Sequence, residues 1–308
     1  MKIIFFGTTD FAVESLRRIL EENHEVCAVV TQPDRRKGRG MKLAFTPVKE
    51  FALEKGIPIL QPENLKRNYE FNSELKSYNA ELFVVVAYRV LPEEVFVIPP
   101  KGTFNLHGSL LPKFRGAAPI NWAIIQGEKE TGVTTFFIQK RVDTGQILLK
   151  EKTEILPNET FGELYERLKE IGSEATVKTI KMISENNFTL QTQDDNEVTQ
   201  APKLTRENTR IDWNKTALEV KNFILGLSPI PCSWTEFREL NLKILFAEEV
   251  GFSGNHEIGE LVAQKKRLLV KCKDGYLSVR KLQPQGKKAM EVINFLNGSR
   301  IQENEKFI

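Results

Sequence analysis

The run Leu82–Ala87 is apolar along its whole length and lacks the polar–apolar alternation of a half-exposed strand. Such a run is typical of a strand in a parallel sheet that is covered on both faces. The chain opens with a similar run at residues 2–6, followed by a helical pattern with apolar residues at i, i+4, i+7 and i+8. A β-branched strand at 25–31 comes next. This strand–helix–strand order indicates parallel strands joined by a right-handed crossover.

The same alternation continues through the first half of the chain. Helices are expected after Pro47, over 119–126 and from Thr160, and strands are expected at 57–60, 81–87, 102–107, 132–138 and 145–150. The sequence therefore predicts an α/β domain over residues 1–190, built on a Rossmann-like, open and mostly parallel sheet.

The remaining chain has a different pattern. Residues 191–210 are polar and aperiodic, and we interpret them as a linker. In 211–308 a short helix precedes strands near 242–250, 258–263, 267–273 and 276–283, with a tight hairpin turn at Lys273–Tyr276. Several short strands in about 100 residues favour a small β-barrel, with the OB-like (oligonucleotide-binding) barrel as the natural candidate.

Basic residues are concentrated in two places, although the formal net charge is only +3. Residues 33–49 contain six Lys or Arg and one acid, and residues 265–288 contain nine Lys or Arg and one acid, so the rest of the chain is acidic. Positive charge gathered in this way is what a polyanion-binding surface needs. A solvated loop and a solvated strand surface are the alternative interpretation.

Several classes of protein are not expected. The three cysteines and three histidines show neither a disulfide framework nor zinc-ligand spacing, so we expect no metal. The chain lacks an apolar run long enough for a membrane span and a secretory signal pattern, which favours a cytoplasmic protein. The first strand is followed by a single glycine, Gly7, and not by G-x-G-x-x-G, which argues against nicotinamide dinucleotide binding.

The residues best suited to chemistry lie in two segments. On a strand over 103–107, the two-residue period places Asn105 and His107 on one face, near the carboxyl end where open α/β sheets bind ligands. Asp143 follows a second strand, in the sequence D-T-G. An amide to stabilise an oxyanion, an imidazole to donate to it or move a proton, and a carboxylate to orient the imidazole suit acyl transfer. Because no nucleophile elbow accompanies them, direct attack by an external amine is expected. A buried Asn–His pair and a turn-forming Asp are the structural alternative.

At these residues the chain resembles the folate-dependent formyltransferases, and within them the enzymes that act on methionyl-tRNA. The resemblance rests on motifs in matching order: F-x-G-T-x-x-F-A at 5–12, Q-P-D-R-x-x-G-R-G at 32–40, F-N-L-H-G-S-L-L-P-K-F-R-G-A-A-P-I at 104–120, D-T-G at 143–145, A-P-K-L-T at 201–205, G-L-S-P-I-P at 226–231 and F-L-N-G at 295–298. It extends from Lys2 to about Arg300 and implies a formyltransferase fold.

The resemblance implies transfer of the formyl group of 10-formyltetrahydrofolate to the methionine α-amine of initiator Met-tRNA, for translation initiation. It assigns catalysis to Asn105, His107 and Asp143 in residues 1–190. The folate co-substrate would contact Ser109, Leu110, Leu111 and Pro112, and the tRNA would contact Arg36, Lys37, Arg39, Lys42, Lys265, Lys266, Arg267, Lys271, Lys287 and Lys288. The expected enzyme is a monomer that needs neither metal nor membrane.

Two positions depart from the family pattern: Met41 stands where many relatives have lysine, and Arg89 replaces the glycine of A-Y-G. Two alternative functions remain open. One is a small-molecule formyltransferase or 10-formyltetrahydrofolate hydrolase, which would have no reason to carry the C-terminal barrel. The other is a non-catalytic RNA-binding protein on the same scaffold.

Overall fold

The computed structural model of the chain describes residues 1–37 and 42–308. These residues form two compact units. The first comprises Met1–Gly116, Gly132–Thr153 and Tyr165–Gln200. The second comprises Ala117–Thr131, Glu154–Leu164 and Ala201–Ile308.

The elements follow in chain order. Up to the carboxyl end of the long helix they are β1 (Lys2–Gly7), α1 (Asp10–Glu21), β2 (Glu25–Val30), β3 (Arg35–Lys37), β4 (Lys42–Ala44), α2 (Pro47–Glu54), β5 (Ile59–Leu60), α3 (Tyr69–Ser77), β6 (Leu82–Val86), α4 (Glu93–Phe96), β7 (Thr103–His107), β8 (Arg115–Gly116), α5 (Pro119–Ile125), β9 (Glu130–Phe137), β10 (Ile147–Glu154) and α6 (Phe161–Ser184). Beyond it are β11 (Gln200–Ala201), α7 (Ala217–Leu227), β12 (Ser233–Phe237), β13 (Leu240–Val250), β14 (Leu261–Gln264), β15 (Arg267–Lys271), β16 (Tyr276–Pro284), β17 (Met290–Glu291) and α8 (Val292–Gly298), with two 3-10 turns at Asp195–Glu197 and Glu207–Thr209.

The first unit contains a seven-stranded sheet in the order β10-β9-β7-β6-β1-β2-β5. Strands β7, β6, β1, β2 and β5 pair in parallel, whereas β9 runs antiparallel to β7. All five residues of β6 are buried, as its apolar run predicts. The Rossmann-like, mostly parallel sheet is therefore confirmed.

Local sequence explains where two of the flanking helices lie. In α1 the apolar stripe is buried, with Ala12, Leu16 and Ile19 fully inaccessible. Helix α2 begins with Pro47 in its first turn, and the Thr46 hydroxyl accepts a hydrogen bond from the backbone of Lys49, so an N-cap sets its start. The short helices α3 and α4 were not predicted.

The second unit contains an antiparallel sheet in the order β12-β13-β16-β15-β14, with β17 beside β16. The predicted hairpin turn joins β15 to β16, and the Cys272 N–H donates to the carbonyl oxygen of Gly275 across it. Helix α7 packs on β13 and on α5 and starts at a capping box of Thr216 and Glu219. The separate antiparallel C-terminal sheet is confirmed, with β12 and β17 beyond the strands expected.

The segment read as a linker has more structure than its composition indicates. It contains both 3-10 turns and β11. The backbone N–H of Arg115 donates to the carbonyl oxygen of Thr199, so the segment is bound to the rest of the first unit at this residue. Domain limits at 190 and 210 stay a prediction.

Candidate active site

The carboxyl ends of β1, β6 and β7 define one edge of the parallel sheet. Gly7 in β1 pairs with Val86 in β6, and Val85 pairs with Asn105 in β7. In the sheet, β2 lies beside β1 on one side, and β6, which follows later in the chain, lies beside β1 on the other side. This edge is therefore the topological switch point at which open α/β sheets bind ligands.

Asn105 is half-buried near this edge. On the same face of β7, Thr103 is already used, because its hydroxyl donates to the carbonyl oxygen of Phe96 at 2.7 Å. In the part of the chain that the structure describes, the amide of Asn105 has no hydrogen-bond partner. This amide is therefore free to serve a ligand.

His107 is the last residue of β7 and is 6% exposed. Its Nε2 atom lies 2.9 Å from the carbonyl oxygen of Phe114. A carbonyl oxygen only accepts, so Nε2 carries the hydrogen and, in the neutral ring, Nδ1 carries the lone pair. The ring can therefore accept a proton at Nδ1, and it can donate from Nδ1 only as an imidazolium.

Asp143 is placed near Gly116 by the loop that follows β9, and not by the end of β9 itself. Since β9 is antiparallel to β7, its last residue Phe137 pairs with Phe104, at the far end of β7 from His107. The loop after β9 turns back, and the Asp143 carboxylate accepts a hydrogen bond of 3.0 Å from the backbone N–H of Gly116. The expected direct contact, in which Asp143 orients the imidazole, is not made. Instead, His107 bonds to Phe114 and Asp143 bonds to Gly116, two residues of the same short segment.

Gly145 makes this tight return possible. A Cβ atom at this position would lie 1.6 Å from the carbonyl oxygen of Phe137, which no side chain tolerates. Asp143 itself has a φ of +55°, in the left-handed region that Asp adopts more easily than most residues. The D-T-G motif is thus explained by backbone geometry as well as by its carboxylate.

The predicted folate loop is fixed by its own hydrogen bonds. The Ser109 hydroxyl donates to the carbonyl oxygen of Lys113 at 2.7 Å, and the Thr134 hydroxyl donates to the carbonyl oxygen of Ser109 at 2.7 Å. Leu111 is fully buried, and Pro112 is also buried. Leu110 is half-buried, so it is the one of the four predicted residues whose side chain remains partly accessible.

Arg89, which replaces the glycine of the A-Y-G family pattern, has a structural role. Its guanidinium donates to the carbonyl oxygens of Glu63, at 2.9 Å, and of Pro62, and Nε lies 3.3 Å from the Tyr88 hydroxyl. Burial raises the pKa of Tyr88, whose ring packs edge-on against Phe6. Arg89 therefore ties the loop after β6 to residues 62–63.

The first basic segment forms a hairpin of β3 and β4, in which Arg36 pairs with Leu43 and Lys37 with Lys42. Arg39 lies outside the described residues, as do 38, 40 and 41.

The base of this hairpin is anchored by a polar cluster. Lys49 Nζ donates to Asp34, at 2.5 Å, and to Gln61, at 2.8 Å. The hydrogen bond from Lys49 lowers the pKa of Asp34.

The second basic segment divides into two groups. The turn after β14 and the turn after β16 lie towards the same end of the antiparallel sheet, because β15 and β16 are antiparallel. Leu268 near the start of β15 pairs with Val279, and β16 continues beyond this pair to Pro284. Five exposed residues lie towards this end: Lys265, Lys266, Arg267, Lys287 and Lys288. We call this end of the sheet the basic edge. Lys271 pairs with Tyr276 at the opposite end of β15, with its ammonium 4.8 Å above the Tyr276 ring.

No activated thiol or metal cluster is found in residues 1–37 and 42–308. Burial raises the pKa of Cys232 to about 11 and that of Cys272 to about 12, so both stay protonated near neutral pH. Groups of three or more His, Cys, Asp or Glu that could hold a metal ion do not occur in the described chain. No described helix has the length and apolar character to cross a membrane.

Sequence reasoning missed two residues, Arg115 and Gln193. Arg115 lies inside the K-F-R-G stretch of the longest motif, which was a usable signal. Gln193 lies in the polar segment read as a linker, and its local sequence gives no signal. The structure joins their side chains by a hydrogen bond of 2.7 Å, beside the Asp143 loop.

Comparison with known proteins gives a consistent result. The family model described as formyl transferase matches residues 1–180, and the model described as formyl transferase, C-terminal domain, matches residues 203–300. The chain belongs to the formyl transferase family. It is an enzyme of this family, with the formyltransferase fold that its motifs imply.

Individual relatives agree with this assignment. The chain is 46% identical over 304 residues to the methionyl-tRNA formyltransferase of Caldanaerobacter subterraneus subsp. tengcongensis, covering 98% of each chain. It is 44% identical to the methionyl-tRNA formyltransferase of Flavobacterium johnsoniae, covering 99% of this chain and 98% of that one. The N-formyltransferase of Helicobacter canadensis, solved with folinic acid and dTDP-3-aminofucose, superposes with a TM-score of 0.68 at 22% identity, covering 92% of this chain and 99% of that one.

Proposed function

We propose that this formyl transferase moves the formyl group of 10-formyltetrahydrofolate to the α-amino group of methionine on initiator Met-tRNA, for translation initiation. Support for the acceptor comes from full-length relatives that are named methionyl-tRNA formyltransferases. The observation that carries the chemistry is the free amide of Asn105 beside His107 at the switch point of the sheet.

The amine attacks without a covalent enzyme intermediate. An α-amine has a pKa of about 7.7–8.0 and is partly neutral at working pH. Its nitrogen forms a bond to the formyl carbon, and the carbonyl electron pair moves onto oxygen. The amide N–H of Asn105 stabilises this oxyanion, a contribution typically worth about 2.7–4 kcal/mol of the barrier. Collapse then breaks the bond between the formyl carbon and the folate nitrogen, and this nitrogen receives the proton that His107 or Asp143 accepted from the amine.

His107 and Asp143 handle the amine proton and the developing charge. Because Nε2–H of His107 donates to the carbonyl oxygen of Phe114, its free nitrogen is Nδ1. In the neutral ring Nδ1 accepts the amine proton, and the imidazolium that results stabilises the oxyanion. The carboxylate of Asp143, fixed by Gly116, is the second proton acceptor, directly or through one water. We assign Asp143 the role of base and of electrostatic orienter.

Residues around the crevice fit a folate co-substrate. The folate supplies the formyl carbon. The hydroxyl of Thr8, which follows β1 at the switch point, is buried and has no hydrogen-bond partner among the described residues, so a polar group is available there. Leu110 offers a partly accessible apolar side chain, and Ser109, Leu111 and Pro112 shape the loop beneath it. The Helicobacter canadensis relative, solved with folinic acid, supports a folate donor.

The two basic segments are suited to the tRNA. We assign the basic segment 33–49, with Arg36, Lys37, Arg39 and Lys42, to the acceptor end and the basic edge to phosphates of the duplex. In this proposal residues 1–190 bind folate and catalyse, 191–210 link, and 211–308 bind tRNA as an OB-like domain of a monomeric, cytoplasmic enzyme. Lys271 is the weakest of the assigned contacts, since it lies at the other end of β15.

One assay separates this function from its alternatives. The protein is incubated with 10-formyltetrahydrofolate labelled in the formyl group and with initiator Met-tRNA, glycinamide ribonucleotide or water alone. Label on the tRNA supports the proposal. Label on the ribonucleotide indicates a small-molecule formyltransferase, free labelled formate indicates a hydrolase, and retention of all label on folate indicates a non-catalytic RNA-binding protein.

A further inference from the structure

Gln193 holds the loop that carries Asp143. Its Nε2 atom donates to the backbone carbonyl oxygens of Asp143, at 2.9 Å, and of Gly145, at 2.8 Å. An amide NH2 group has two hydrogens, and here both are used. One side chain therefore holds the backbone carbonyl groups of the residues before and after Thr144.

The other end of the same amide is held by Arg115. Oε1 of Gln193 accepts from Nε of Arg115 at 3.0 Å and from Nη2 at 2.7 Å. This contact fixes the orientation of the amide, because the reverse orientation would set its NH2 group against a guanidinium and its oxygen against two carbonyl oxygens. Arg115 is 7% exposed and also donates to Asp195 at 3.0 Å. A buried guanidinium needs such partners.

Arg115 stands between the two residues that hold the proposed catalytic groups. Phe114 accepts the hydrogen bond from His107, and Gly116 donates to the carboxylate of Asp143. The pair of Arg115 and Gln193 therefore connects the segment beside His107 to the loop of Asp143. These contacts span sequence separations of 78 between the pair and 50 between Gln193 and Asp143.

We propose that Gln193, oriented by Arg115, is a positioning residue that fixes Asp143 in the geometry needed for formyl transfer. The inference rests on the proposed function, in which Asp143 acts on the amine proton. In this proposal Gln193 contacts neither substrate. Its loss should therefore lower kcat and leave both KM values unchanged, since misplacing a catalytic group by about 1 Å can cost about 100-fold in rate.

The test uses Gln193→Glu, which keeps the shape of the side chain and an acceptor for Arg115. It removes both N–H donors and sets a carboxylate oxygen against two carbonyl oxygens. Gln191→Glu is the matched control: it makes the same chemical change two residues away, at an exposed position whose backbone pairs with Ile147. We expect kcat to fall about 10- to 100-fold for Gln193→Glu and less than about twofold for the control.

A double-mutant cycle with Asp143→Asn distinguishes positioning from a general structural effect. If Gln193 acts through Asp143, Gln193→Glu should lower kcat no further in the Asp143→Asn background, because residues that act as a unit are non-additive. Effects on kcat that multiply would overturn the proposal. So would a defect confined to KM, or an Asp143→Asn enzyme with unchanged kcat.

Amide hydrogen exchange tests whether Gln193 holds the loop of Asp143 without relying on the activity assay. Gln193→Glu should speed exchange in peptides covering residues 138–146, whereas Gln191→Glu should not. Unchanged exchange in that segment would reject the role of Gln193 even in an active enzyme. In contrast, failure of the wild-type protein to transfer a formyl group to Met-tRNA would contradict the proposed function. The exchange experiment would still show whether Gln193 holds the loop of Asp143.

Discussion

The Nε2 atom of His107 donates a hydrogen bond of 2.9 Å to the carbonyl oxygen of Phe114. This contact fixes the tautomer of the neutral ring and leaves Nδ1 for the reaction. It also explains why Asp143 bonds to Gly116 and not to the imidazole: the nitrogen that an orienting carboxylate would hold is already taken by the backbone.

The charge of Asp143 can be tested apart from its geometry. Asp143→Asn keeps an oxygen that accepts from Gly116 and a residue type that tolerates a φ of +55°. It removes the negative charge, so kcat should fall about 100- to 10,000-fold, the usual range for a lost general base, with little change in the free energy of unfolding. Steady-state kinetics and thermal melting measure the two quantities. Wild-type kcat would show that the carboxylate is only a turn former.

Gly145 should tolerate no side chain. In Gly145→Ala the Cβ atom would meet the carbonyl oxygen of Phe137 at 1.6 Å, so the loop must shift. We expect a fall in kcat and a loss of about 1–3 kcal/mol in the free energy of unfolding, as for other overpacked sites. Gly251→Ala is the control, because a Cβ atom there meets nothing within 4 Å. Equal melting temperatures and rates for both variants would contradict the close approach.

Arg39 is expected to act on tRNA and not on chemistry. Arg39→Ala should lower kcat/KM for initiator Met-tRNA and leave KM for the folate donor unchanged, because the basic segment 33–49 is assigned to the acceptor end. Lys76→Ala, at an exposed position of α3, is the matched control for loss of one charge. Unchanged activity and salt dependence in Arg39→Ala would contradict the role of segment 33–49 in tRNA recognition.

The basic edge should contribute more to tRNA affinity than Lys271. Replacing Lys265 and Lys266 by alanine should weaken binding and flatten the slope of log K against log salt by about 0.9 for each lost duplex-phosphate contact. Lys271→Ala should change the slope less, since Lys271 lies at the other end of β15. Filter binding over a salt series measures both. A slope change as large in Lys271→Ala would mean that RNA covers more than the basic edge.

The comparison of sequence with structure shows what a single chain can predict. The apolar run of β6 and the alternation in β7 were sufficient to place Asn105 and His107 near the carboxyl end of a parallel strand, since strand period and parallel order are local properties. The direction of β9 was not predictable, because a strand signal does not fix which way the strand runs. For this reason the direct contact between Asp143 and His107 was expected and is not made.

The role of Gln193 shows the other limit. Its polar neighbourhood is typical of a linker, and nothing local to it indicates a buried contact. Its function depends on Arg115, 78 residues away, and on carbonyl groups of the Asp143 loop, 50 residues away. Contacts of this kind arise only when the tertiary fold brings distant segments together.

Single-turnover formyl transfer tests the central claim most directly. Labelled 10-formyltetrahydrofolate and initiator Met-tRNA are saturated with enzyme, and label on the methionine amine is followed for wild-type protein and for Asn105→Ala. We expect wild-type transfer and a rate about 100- to 1,000-fold lower in the variant, because the amide donates to an oxyanion that exists only along the reaction path. Absence of label from the methionine amine in the wild-type reaction, or an Asn105→Ala defect that saturating substrate abolishes, would contradict the account.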